Sequence, residues 1–352
     1  MTTPDPPPAS LRLRIDAQAL AENWRTLDRL SGTAEAGAAV KADGYGLGID
    51  NVMPTLVRAG ARQFFVAHWS EVPDVLAHVP GESIAVLHGV ANEREAAFAR
   101  ATGVLPVINS MLQARVWHES GGGACHLMVD SGINRLGVEQ QCMGDPAIRQ
   151  LQVDTLMSHL ASADEDTAQN ARQLAVFREA AAQLDASRLS LANSAGIALG
   201  PDYRFDLTRP GLALYGGIPR GELAGHIRPV VQIEAAVLQV RDLSPGDPVG
   251  YNAIWHADKP TRAATISIGY ADGILRSWGS GGALQHDGAT LPIIGRVSMD
   301  MVIVDCTGTV LAEGDFCNLS YALPQASRIS GLSQYELLTV LGQRFQRVVE
   351  QD

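Results

Sequence analysis

The sequence has 352 residues, 46% hydrophobic and 18% charged, and its 38 acidic against 27 basic side chains give a net charge of −11. Such a chain buries a large core and has room for about two domains. Its acidity repels phosphate backbones, which sets nucleic acid aside as a partner, and no run approaches the ~20 apolar residues of a membrane helix.

The opening MTTPDPPPAS is proline-rich, without a basic start or an apolar stretch. Residues 1–10 are therefore expected to be a disordered tail rather than a secretory signal. The cysteines Cys125, Cys142, Cys306 and Cys317 show no CxxC spacing, so no metal site is expected and reduced thiols are. Together these points predict a soluble, cytoplasmic protein.

A short alternating strand from Leu11 to Ile15 opens the ordered part, and residues 11–16 are free to pair with a later domain. A helix follows from Ala17, with Asp16 as N-cap and Leu20, Trp24, Leu27 and Leu30 at helical spacing. Eight short apolar runs come next: 37–41, 64–67, 84–87, 104–108, 126–129, 155–159, 188–192 and 211–215. Buried parallel strands look like this, and the stretches 92–101, 110–119 and 164–184 between them have helical composition. The pattern predicts an α/β fold, with a (β/α)8 barrel of the TIM type over residues 11–225. Pro106 and His126 interrupt the fourth and fifth strands.

From residue 226 to 352 the style changes. Strand-like runs at 230–240, 263–269 and 302–305 are separated by turns such as Ser244-Pro245-Gly246-Asp247 and His286-Asp287-Gly288. A helix is expected at 333–345. This part reads as a C-terminal β-rich domain.

Barrels of this kind carry their chemistry at the C-terminal ends of the strands. The runs place Lys41, Asp130–Gly137, His159, Asn193-Ser194 and Arg209 on one rim. A lysine closing an apolar strand is a usable nucleophile once desolvation lowers its pKa, although a lone lysine there more often reaches out to water. Glycines following it let backbone approach a ligand closely.

Val40-Lys41-Ala42-Asp43-Gly44-Tyr45-Gly46-Leu47-Gly48 resembles the cofactor-lysine motif of the alanine racemases. The resemblance continues in family order through 130–137, 158–164, 192–195 and 209–216. It then covers 249–251, 269–273 and 295–300. It implies a barrel that binds pyridoxal 5′-phosphate (PLP), a β-domain, and interconversion of L- and D-alanine for the cell wall or for alanine catabolism. By that resemblance Lys41 forms a Schiff base with PLP and acts as base on the D-amino acid, while Tyr251 acts on the L-amino acid. Racemisation needs one such group on each face of the α-carbon.

Arg209 is implied to face the pyridine nitrogen, where a guanidinium accepts no proton. His159 is implied to bridge Arg209 and Tyr251 by hydrogen bonds. Tyr45, Ser194, Gly211 and Leu212 resemble the phosphate set, with Asn193 beside it. Arg135 resembles the residue near the substrate carboxylate. Met299 and Asp300 are implied to arrive from the partner subunit of a head-to-tail homodimer, with Tyr251 acting in trans and Tyr270 lining the substrate's way in.

The sequence departs from the family pattern at four places. Met128 stands where many members have a carbamylated lysine, Asn134 and Asn252 where glycine is frequent, and Gln343 where a tyrosine often meets the phosphate. Three rivals stay open. A decarboxylase on the same barrel would want a carboxylate at the pyridine nitrogen. A non-catalytic PLP-binding protein would be a single barrel. A racemase for serine or another small amino acid differs only in pocket volume, which sequence does not resolve.

Overall fold

The computed structural model describes residues 7–350, so most of the expected tail lies outside the described residues. Of its last residues, Ser10 is held: its carbonyl accepts the Ala236 N–H at 2.8 Å. The chain divides into two compact units. One is Ala19–Arg228; the other joins the segment up to Gln18 with the chain from Pro229 onward.

The first unit carries eight short parallel strands. In ring order they are Glu35–Ala36 with Ala38–Ala39, then Phe64–Val66, Ile84–Val86, Leu105–Ile108, Ala124–Asp130, Gln152–Met157, Arg188–Ser190 and Leu207–Thr208. Closure is visible in the backbone. Leu207 and Thr208 pair with Glu35 and Ala36, and the Arg209 N–H donates to the Ala192 carbonyl at 2.8 Å. Most strand positions are buried, as strands covered by helices must be. The fourth and fifth strands form despite Pro106 and His126.

The expected helices are found with caps. Asn92, Ser110 and Thr167 each accept a backbone N–H at the start of Glu93–Thr102, Met111–Glu119 and Ala168–Ala181. They pack on the strands through a core that includes Trp117, Leu127, Leu156 and Phe177.

One expected strand is displaced. The run 211–215 is not the eighth strand; Leu212–Tyr215 is a 3₁₀ turn, and the strand is Leu207–Thr208. An apolar run does not distinguish a buried strand from a buried helical turn. Pro210 offers no N–H to a ladder, so the strand ends before it. The shift moves Arg209 to the C-terminal end of its strand.

The second unit is an antiparallel barrel. Val231–Leu243 pairs with Phe316–Leu319 on one side and, past a bulge, with Thr261–Ile266 on the other. Val302–Asp305, Ala289–Ile294 and Ala283–His286 complete the ring. Leu11–Asp16 belongs to this unit, antiparallel to Val231–Leu243 and parallel to Gln346–Glu350. The helix expected at 333–345 is shorter. Gln334–Thr339 ends, and the chain turns at Gly342, where a Cβ would lie 2.6 Å from the Ala271 carbonyl oxygen. A further helix, Leu323–Ser330, precedes it.

Candidate active site

Lys41 lies two residues past the end of the first barrel strand, after Val40. After it, Ala42, Asp43, Gly44 and Tyr45 have φ of 54, 54, 61 and 56°, one turn of left-handed helix. That conformation costs roughly 1–2 kcal/mol per non-glycine residue, and such strain concentrates at functional sites. The turn buries Tyr45, whose ring stacks on Tyr215 with centroids 4.7 Å apart. Burial holds the Lys41 amine below its ordinary value, and the Arg135 guanidinium lowers it further; the Glu71 carboxylate opposes both. Lysine in that state is a better nucleophile than one in water.

Arg209 is buried and its guanidinium donates to the Ser190 hydroxyl and to the Ser158 carbonyl. Burial brings it down to about 10, still charged at neutral pH. His159 lies close enough to feel Arg209, Arg135 and Lys41, and burial together with those three cations brings its ring down to about 3. The imidazole is therefore neutral. Among the described residues no hydrogen bond joins His159 to Arg209, whose two terminal guanidinium nitrogens donate to Ser190 and Ser158.

Ser194 and Gly211 come together. The Ser194 hydroxyl accepts the Gly211 N–H at 2.9 Å and the Ala213 N–H at 3.2 Å. Tyr45 closes the same corner: a Cβ on Gly211 would lie 2.2 Å from its hydroxyl. Leu212 opens the 3₁₀ turn, whose first N–H groups have no acceptor within the turn. Asn193 caps the short helix Ser194–Ala198, taking the Gly196 N–H on its side-chain oxygen. The Tyr45 and Ser194 hydroxyls and the Leu212 N–H thus lie in one place with the Gly211 N–H, which the Ser194 hydroxyl accepts, a set suited to a phosphate.

The loop after the fifth strand is folded around Asp130, whose carboxylate accepts the N–H groups of Gly132, Ile133 and Asn134 at 2.8, 2.9 and 3.2 Å. Asn134 has φ 55°. Asparagine tolerates the left-handed region better than other side chains, so it serves where the family pattern has glycine. Asn252, with φ 63°, repeats the substitution in the second unit. Met128 is buried in the fifth strand, and Arg135 is exposed with no hydrogen bond to a described residue.

In the second unit Tyr251 sits on a turn after Gly250, largely exposed, beside a cavity of about 520 Å³ that Arg296 and Met301 also line. Met299 and Asp300 are exposed on the Gly295–Asp300 segment, with Asp300 paired to Arg344 at 2.6 Å. Arg344 also grips the buried Asp272 through two bonds of 2.7 Å. Tyr270 lies next to that segment, its N–H on the Ser298 carbonyl. Gln343 is exposed.

Three contributors escape a reading of the sequence. Glu71 reaches the lysine turn, and its only signal is a glutamate three residues after a helix-capping position. Gln173, buried on a helix, accepts the Ala161 N–H and donates to the His159 carbonyl and the Ser131 hydroxyl. Ser190 receives Arg209 from the neighbouring strand. The last two depend on contacts distant in sequence.

Comparison with known proteins agrees across both units. Family models described as alanine racemase, N-terminal domain and C-terminal domain match residues 15–219 and 230–349. The biosynthetic alanine racemase of Agrobacterium fabrum is 39% identical over 96% of this chain and 93% of its own. The catabolic alanine racemase of the same organism is also 39% identical, over 96% and 92%. The alanine racemase of Bartonella henselae, solved with covalently bound pyridoxal phosphate, superposes with a TM-score of 0.91 at 36% identity, covering 97% of this chain and all of that one. The chain belongs to the alanine racemase family.

Proposed function

We propose that the chain interconverts L-alanine and D-alanine, with pyridoxal phosphate held on Lys41 and with Lys41 and Tyr251 as the two bases. The observation that carries this is the grouping of a lowered lysine amine, a buried guanidinium and a hydroxyl-and-amide corner on one barrel rim. The donor set fits the cofactor: amine for the aldehyde, Arg209 for the ring nitrogen, and Tyr45, Ser194, Gly211 and Leu212 for the phosphate. Bound there, the cofactor supplies an electron sink that acidifies the α-proton of the amino acid.

Lys41 moves that proton on one face of the α-carbon, and the Tyr251 hydroxyl moves it on the other. Arg209 accepts no proton, so it keeps the sink shallow and favours return of the proton to the same carbon. Neutral His159 can pass a hydrogen bond without adding charge. Arg135 attracts the substrate carboxylate. Tyr251, Met299 and Asp300 complete the site of a second subunit in a head-to-tail homodimer, a reading supported by the exposure of Tyr251 and Met299. The cytoplasm is its compartment; supporting this, no described helix is long and apolar enough to cross a membrane, and the four cysteines are unpaired. Arg209 and the antiparallel unit weigh against the decarboxylase and the single-barrel carrier. Equal identity to a biosynthetic and a catabolic enzyme leaves both metabolic roles compatible with this site.

The test is incubation with L-alanine, and with L-serine in parallel, in D₂O. D-alanine carrying deuterium at Cα, with Lys41→Ala and Tyr251→Phe each losing at least about a hundredfold in rate, is the expected result. PLP binding without racemisation of either amino acid would overturn it.

A further inference from the structure

The left-handed turn after Lys41 is tied to the neighbouring loop through one carboxylate. Within the turn, the Gly44 N–H donates to the Val40 carbonyl at 2.9 Å and the Gly46 N–H to the Ala42 carbonyl at 2.8 Å. The Ala42 N–H, next to Lys41, donates instead to Glu71 Oε1 at 2.5 Å. Glu71 Oε2 accepts the N–H groups of Ala67 at 2.7 Å and His68 at 2.8 Å, just past the second strand. One side chain therefore joins the ends of two adjacent strands. Glu95 occupies the corresponding place after the third strand and stays local: its oxygens accept the Ala91 N–H at 2.7 Å and the Asn92 side-chain amide at 3.0 Å.

We infer that Glu71 is a positioning residue for Lys41, fixing the strained turn that presents the amine and supplying the negative charge beside it. The inference rests on the reading of Lys41 as the cofactor lysine. The charged and titratable groups that act on the amine or feel it are Arg135, Glu71, His88 and His159, with His68 packed edge-on against His88 at 4.2 Å. Glu71 is the one carboxylate in that set. Glutamine cannot replace it, because a single carbonyl oxygen cannot accept from both loops and its NH₂ would face an N–H donor.

The experiment is hydrogen exchange on the full-length holoenzyme with Glu71→Gln, Glu71→Ala and, as control, Glu95→Gln. The Glu71 variants should speed exchange of the Gly44, Gly46 and Gly48 amides at least about tenfold, with Glu95→Gln leaving them unchanged. In the cofactor-stripped full chain, acylation of Lys41 followed by peptide mass spectrometry should reach its midpoint at lower pH in Glu71→Gln, since the opposing charge is gone. In racemisation, kcat should fall about tenfold while KM for alanine stays within about twofold. Unchanged exchange at residues 44–48, or an equal rise in Glu95→Gln, overturns the positioning role while leaving the site intact. Should Glu71→Ala not fold, Glu71→Gln carries the same test. If Lys41→Ala keeps its cofactor absorbance, the reading of Lys41 itself fails, whatever the exchange shows.

Discussion

Arg209 retains 7% of its surface, Tyr45 5% and Ser194 2%, whereas Tyr251 exposes 67% and Met299 53%. The first group lies in the parallel barrel and the second in the antiparallel unit. Two buried polar groups of the barrel's site are engaged within the chain: Arg209 by Ser190 and Ser158, Ser194 by two backbone amides. Burial without such partners would cost more than the fold gains. In the antiparallel unit the corresponding side chains sit on turns and show apolar surface, with Ile254 and Met301 also exposed. Exposed apolar residues such as Tyr251, Ile254, Met299 and Met301 suit the proposed surface that another subunit covers. The barrel residues of the proposed site are mostly buried, and those of the antiparallel unit are exposed.

The largest effect comes from asking whether the two halves belong to different chains. Lys41→Ala and Tyr251→Phe homodimers should each be inactive. After mixing and subunit exchange, about a quarter of the sites would hold both intact groups if they act across subunits, and activity should recover to that level. No recovery would place both bases in one chain and break the comparison.

Gly211→Ala probes the buried group. Its Cβ would fall 2.2 Å from the Tyr45 hydroxyl, so the phosphate corner must open. PLP affinity, measured by absorbance titration, should fall about 10–100-fold, the equivalent of ordinary overpacking.

A third test uses pH. His126 is fully buried inside the barrel, with neither ring nitrogen hydrogen-bonded to a described residue and Nδ1 3.5 Å from Asp154. Burial brings it down to about 4, with Asp154 opposing and Arg188 and Arg209 adding to the drop. His159 is shifted in the same direction, to about 3. The unfolded chain binds these protons near pH 6.5 and the folded chain resists them. Stability should therefore be full above pH 6.5 and fall steadily below it, by up to about 3 kcal/mol for His126 by pH 4. Urea midpoints should show the slope, and His126→Leu should flatten it. A slope unchanged in that variant would assign it to other groups.

The smallest effects lie at Asn134 and Asn252, one in each unit, both with positive φ. Replacement by glycine should change stability by less than about 1 kcal/mol, since strain relief and chain entropy oppose one another; alanine should be the worse residue at both. Thermal melts of the four variants check this, and a stabilising alanine would refute the conformational account.

Much of this architecture can be read from the residues alone. Short buried strands announce themselves as apolar runs, and helical composition over 92–101, 110–119 and 164–184 locates three helices, the last of which starts later than expected, after its cap Thr167. The eighth strand was harder. Leu207–Thr208 is only two residues long, while the apolar 3₁₀ turn beside it carries the stronger pattern. The lysine motif was legible as local sequence, but its left-handed turn was not, since alanine, aspartate and tyrosine at positive φ contradict local preference and depend on a glutamate about thirty residues away. The Arg209 contacts escaped for the same reason: they are made to strands that only the closed barrel brings near.

The strand Leu11–Asp16 lies between Val231–Leu243 and Gln346–Glu350, so the first and last strands of the described chain are neighbours. During synthesis every barrel strand emerges before the antiparallel unit has its closing strand. Domains fold largely as they leave the ribosome, N-terminal parts first. On the proposed reading, the growing chain would therefore carry Lys41 and the corner at Ser194 and Gly211 well before the unit bearing Tyr251 closes, and a product truncated there would lack the second base.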